Sequence, residues 1–124
     1  MDNAILITSK IISLNQLMGY CNNLIPFKVV ENSLNYTMPN GFWVAIYPCS
    51  SCIDDYETKA LDRIKEIIED PQFFIIEGNR FDMIQKIVNS LPIEINLLVD
   101  NTHGKIMDRN DFLEYKGSED FFSW

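Results

Sequence analysis

The feature that most constrains this chain is a handover near its middle. The apolar run Phe42-Trp43-Val44-Ala45-Ile46-Tyr47 leads through Pro48 into Cys49-Ser50-Ser51-Cys52, and a stretch of helical period follows at once. The run lacks polar alternation, the pattern of a central strand covered on both faces. Beyond the cysteines, Tyr56, Ala60, Ile64, Ile67 and Ile68 share one helical face while Lys59, Asp62, Arg63, Lys65, Glu66 and Glu69 lie mainly elsewhere. This predicts one long amphipathic helix that runs to Asp70 and stops at Pro71.

The flanking elements follow from the same periods. Ala4–Ile7 is a short apolar strand. Ser13 and Gln16 form a capping box for a helix carrying Leu14, Leu17, Met18, Cys21, Leu24 and Ile25, ended by Pro26. Cys21 lies in that helix's apolar stripe and reads as core filler. Phe27–Val30 and Leu34–Met38 are either one interrupted strand or a hairpin around Glu31-Asn32-Ser33, and Thr37-Met38-Pro39-Asn40-Gly41 is a turn. Gln72–Ile76 is a buried strand. Phe81, Ile84, Ile87, Val88 and Leu91 mark a helix ending near Pro92, Ile93–Val99 is the next strand, and Asp100–Gly104 turns the chain into Lys105–Met107. Asp111–Tyr115 starts a short terminal helix. Alternating helical and strand periods predict an α/β fold, a mixed sheet flanked by helices. With 124 residues, 47% of them hydrophobic, and no Pro-Gly-Ser linker, residues 1–124 read as a single domain.

Composition removes several functions. Eighteen acids against ten bases give a net charge of −8, which repels phosphate backbones and excludes nucleic acid as a partner. The same charge suits a basic protein surface, or simply keeps the chain soluble. No apolar stretch approaches the roughly 20 residues of a membrane span. The N-terminus has no basic region of the signal-peptide kind, which points to the cytoplasm, or to the cell envelope if a leader was removed. Cys49 and Cys52 supply two of the four ligands of a structural zinc site and His103 could be a third, but no fourth is obvious, so no metal or cofactor is implied, and His103 reads as a solvated turn residue. No Gly-rich phosphate loop or Ser-His-Asp arrangement is present.

What remains is the dithiol. A thiolate at a helix start is stabilised by unpaired backbone N–H groups and the macrodipole, which favours Cys49 as the attacking sulfur and Cys52 as the resolving one. Asp54, Asp55 and Glu57 oppose that thiolate, predicting a moderate or reducing potential. Ser50 and Ser51 are small enough to leave the ring approachable, and Ser51 with Asp54 is a plausible capping pair. The plainer alternative is that both cysteines only fill a loop. The acidic aromatic end Ser118–Trp124 either caps its own core or anchors an interface.

Over Gly41–Tyr115 these residues resemble the thioredoxin-like thiol-disulfide proteins. The order strand, Cys49-x-x-Cys52, helix, Gln72–Ile76, helix, Pro92 and hairpin is similar to theirs, and Leu98-Val99-Asp100-Asn101-Thr102-His103-Gly104-Lys105-Ile106 resembles the Asp-x-x-Gly-Lys-Ile hairpin of the exported, peroxiredoxin-related branch. Pro48, Ser50-Ser51 and Trp43 depart from the family's tryptophan, Gly-Pro pair and buried acid. The resemblance implies a three-layer sandwich with a mixed central sheet and thiol-disulfide exchange or thiol relay with protein thiols or disulfides. It also implies a substrate surface of Pro48, Ser50, Ser51, Leu91 and Pro92, with Pro92 in the family's cis position. The alternative function class is a non-enzymatic acidic binding protein, such as a bacterial toxin-immunity protein.

Overall fold

The computed structural model describes residues 2–9 and 12–121. Seven strands, β1 (Asp2–Ser9), β2 (Lys28–Val30), β3 (Ser33–Thr37), β4 (Trp43–Pro48), β5 (Pro71–Gly78), β6 (Leu97–Asp100) and β7 (Ile106–Asp108), form one sheet in the order β2-β3-β4-β5-β1-β6-β7. Between and after them come α1 (Leu14–Cys21), a 3₁₀ turn (Ser50–Asp55), α2 (Thr58–Ile67), α3 (Phe81–Asn89), α4 (Arg109–Glu114) and α5 (Ser118–Phe121).

Every strand pair is antiparallel, so the thioredoxin-like three-layer sandwich with a mixed sheet is not the fold of this chain. The difference begins at the dithiol. Parallel neighbours need a crossover that carries the chain to the opposite end of the sheet. Here Val44 pairs with Gly78 and Pro48 with Phe74, so the chain leaves at Pro48 and re-enters at Pro71 on the same end. The single long helix expected after the cysteines is two pieces, the 3₁₀ turn and α2, separated by extended backbone at Tyr56 (φ −92°, ψ 137°) and Glu57 (φ −66°, ψ 155°). Two short legs return the chain to its point of departure, where one long helix would have moved it across.

The two faces of the sheet are unequal. On one, Leu6, Val44, Ile46, Phe74, Ile76 and Val99 meet Leu17 of α1, Ile84 and Val88 of α3 and Phe112 of α4 in the main core. On the other, Ile7, Phe73 and Leu98 meet Cys52 of the 3₁₀ turn, Ile64 of α2 and Ile68 in a smaller cluster. β4 accordingly alternates, with Val44 and Ile46 buried but Trp43, Ala45 and Tyr47 half-buried, and is not the doubly covered strand expected from its composition. Gly78 is required where β5 meets β4, because a Cβ there would lie 2.8 Å from the Trp43 carbonyl oxygen.

Local chemistry explains the remaining boundaries. The capping box of Ser13 and Gln16 is formed, but α1 ends at Cys21, whose carbonyl takes the N–H groups of both Leu24 and Ile25. Residues 28–37 form the hairpin, turned through Glu31 at a positive φ of 56°. The strand expected from Ile93 begins only at Leu97, leaving Ile93 87% exposed. Residues 91–95 are instead gathered by the Arg109 guanidinium, which donates to the carbonyls of Leu91, Pro92 and Ile95. At the C-terminal end Phe121 is fully buried against the rings of Phe81, Phe112 and Tyr115, so it caps the chain's own core, while residues 122–124 lie outside the described residues.

Candidate functional site

Cys49 and Cys52 are joined in a disulfide with Cα atoms 5.5 Å apart. The backbone explains how they meet. Cys49 is the first residue past β4, and its N–H still donates to the Phe73 carbonyl of β5 at 2.8 Å. It is also the cap residue of the 3₁₀ turn, and Cys52 N–H closes back on the Cys49 carbonyl. A strand end and a tight turn thus place the two Cβ atoms within bonding reach. The two sulfurs differ in environment: Cys52 is 4% exposed within the smaller cluster, whereas Cys49 is half-buried at its edge.

The expected electrostatics are altered by the same geometry. The dithiol sits on six residues of 3₁₀ turn, and α2 begins only at Thr58, so no long macrodipole points at Cys49. The start of the turn has no side-chain cap, and Ser51 lies 3.7 Å from the Cys49 sulfur in place of pairing with Asp54. Asp54, Asp55 and Glu57 are exposed around it.

Of the remaining residues expected at a substrate surface, Pro48, Ser50 and Ser51 flank the disulfide and are exposed. Leu91 and Pro92 are not brought to it. Leu91 belongs to the main core on the other face, and Pro92 follows a trans bond, since no described peptide is cis. His103 is half-buried in the β6–β7 turn, its N–H donating to Asn101 Oδ1 at 2.8 Å. Cys21 is buried beside Ser90, and burial pushes its thiol pKa up, as befits an inert core cysteine. A cleft of about 1080 Å³ between α2 and β7, lined by Arg63, Ile67, Ile106 and Asp111 among others, contains none of the dithiol residues.

One pair near the dithiol had no signal in the sequence. Tyr56, at the joint between the 3₁₀ turn and α2, donates its hydroxyl to Asp100 Oδ2 at 2.5 Å and stacks on Phe73 with centroids 5.4 Å apart. Asp100 is 7% exposed at the end of β6, and its other oxygen accepts the Thr102 N–H. Burial first, then this hydrogen bond and the charges of Asp100 and Asp55, raise the Tyr56 pKa well above that of an ordinary phenol. Tyr56 is assigned to a helical face by periodicity and Asp100 to a turn by composition, and neither pattern encodes a contact spanning 44 residues.

Among the described residues no group of three or more His, Cys, Asp or Glu side chains is placed to hold a metal ion. No described helix is long and apolar enough to cross a membrane. No protein-family model, curated protein or solved structure matches this chain.

Proposed function

We propose that Cys49 and Cys52 form a thiol-disulfide exchange centre acting on protein thiols or disulfides. The observation that carries this reading is the inequality of the two bonded sulfurs, one at the surface and one beneath it. In the reducing direction Cys49 thiolate attacks a substrate disulfide, forming a mixed disulfide and releasing one substrate thiolate. Cys52 thiolate then attacks the Cys49 sulfur, re-forming the intramolecular disulfide and releasing the second substrate thiol. Two electrons pass from the dithiol to the substrate, and every step runs in reverse for oxidation. The exposed carboxylates of Asp54, Asp55 and Glu57 favour a substrate with positive charge beside its sulfur. Titration in glutathione mixtures tests the reading: a reversible Cys49–Cys52 disulfide supports it, and Cys52→Ser should accumulate mixed disulfides through Cys49. A pair that cannot be reduced and re-formed at any glutathione ratio removes it.

A second reading rests on the acidity of the same segment. Between Cys49 and Asp70 seven exposed acids face three bases, within a chain of net charge −8, which fits a binding protein for a basic surface. Salt-sensitive binding to basic proteins that survives Cys49→Ala, with no redox cycling, would replace exchange by this function.

A further inference from the structure

The 3₁₀ turn that carries the dithiol is fastened at both ends, and both fastenings pass through Phe73. At its start the Cys49 N–H donates to the Phe73 main-chain carbonyl; at its end the Tyr56 ring stacks on the Phe73 ring. From there the Tyr56 hydroxyl reaches past β1 to Asp100, on the far side of that strand from Phe73. The acceptor is itself immobilised, because Oδ1 of Asp100 holds the Thr102 N–H while Oδ2 holds Tyr56. Of the residues between, Cys52 and Ile53 pack into the smaller cluster, while Ser50, Ser51, Asp54 and Asp55 are exposed.

We propose that Tyr56 is a positioning residue for the dithiol, its hydrogen bond to Asp100 holding the end of the turn against the sheet so that the closed disulfide is favoured over the open dithiol. This rests on the exchange reading above. The reasoning is entropic. Opening the disulfide frees the turn to separate Cys49 from Cys52, and re-closure must recover that freedom. A turn fixed at Tyr56 has less freedom to gain, so the Cys52 thiol stays at high effective concentration beside Cys49. The raised phenol pKa keeps Tyr56 a hydrogen-bond donor through the range in which thiols ionise.

The experiment equilibrates the full chain with oxidised and reduced glutathione. One glutathione disulfide and the protein dithiol give the Cys49–Cys52 disulfide and two glutathione thiols, and alkylation followed by mass measurement reads the fraction closed. Tyr56→Phe keeps the stacked ring and removes only the hydroxyl. It is expected to lower the equilibrium constant for closure about fivefold, a part of what one hydrogen bond to a charged group is worth. Asp100→Asn, which retains an acceptor for Thr102, is expected to fall between wild type and Tyr56→Phe, and it carries the measurement if Tyr56→Phe does not fold. A residue that merely stabilises the fold strengthens both redox states alike and leaves this constant unmoved. Unchanged constants in the folded variants, with a reversible wild-type pair, overturn the inference alone, whereas a wild-type pair that never cycles removes the exchange reading.

Discussion

The two faces of the sheet are built on different physics. The main face packs Phe81, Phe112 and Phe121 in mutual ring contact with the aliphatic side chains of α1 and α3, and burial of apolar area dominates its cohesion. The dithiol face buries few side chains, and adds a disulfide and a tyrosine-carboxylate hydrogen bond to keep its two short legs in place. A face held by area tolerates no hole, whereas a face held by specific bonds responds to redox state and pH. The chain's legible chemistry sits on the second.

The largest expected effect tests the first half of that contrast. Phe112 is 0% exposed and touches both Phe81 and Phe121. Phe112→Ala should cost about 3–5 kcal/mol in chemical denaturation, with Ile64→Ala on the dithiol face nearer 2 kcal/mol because exposed neighbours can close over the gap. Equal losses would mean that the smaller cluster is as tightly packed as the main core. Reduction of the Cys49–Cys52 bond comes next. It spans a sequence separation of 3, and chain entropy assigns so short a loop about 2 kcal/mol. Denaturation with and without reductant, in a Cys21→Ala background to silence the third thiol, measures it, and no change on reduction would deny the disulfide any share in holding that face.

The same division marks what was readable beforehand. Elements whose periodicity reflects burial on one side were legible: the Ser13–Gln16 box, the helix at Phe81, the strand at Gln72 and the β6–β7 hairpin stand close to where hydrophobic spacing puts them. Strand direction was not, because an apolar run such as Phe42–Tyr47 carries no sign of whether its neighbour is parallel. That one unreadable bit turned an antiparallel sheet into an expected mixed one. The break at Tyr56–Glu57 was also hidden, since Tyr56 fits the helical face of Ala60, Ile64, Ile67 and Ile68 and only the tertiary contact with Asp100 and Phe73 draws it out of that face. Within the site, the Cys49–Cys52 pairing was legible from spacing together with its place between a strand and a helical period. Leu91 and Pro92 were attached to them only through the fold resemblance, and they part company with the dithiol when that fold does.

The smallest expected effects compare one ionisable pair on each face. On the dithiol face the raised Tyr56 pKa means that the native phenol resists ionisation relative to the unfolded value of 10.0. Its contribution to stability is complete below that value and is lost as pH rises beyond it. The loss is at most about 1.4 kcal/mol per pH unit, and less here because the ring is only half-buried. Tyr56→Phe should flatten that alkaline limb in thermal unfolding between pH 9 and about 11. On the other side of the molecule, at the start of α3, Arg80 and Asp82 pair at 2.6 Å with about half of each side chain exposed. The hydrogen bond from Arg80 lowers the Asp82 pKa from 3.8, so this stabilisation is present above that value and fades as pH falls below it. Solvent screening holds it to a few tenths of a kcal/mol. Asp82→Asn should therefore shift the acid limb of the unfolding profile barely at all, while Tyr56→Phe visibly changes the alkaline one. An acid limb more sensitive to Asp82→Asn than the alkaline limb is to Tyr56→Phe would place the tighter polar bond on the main face and reverse the comparison.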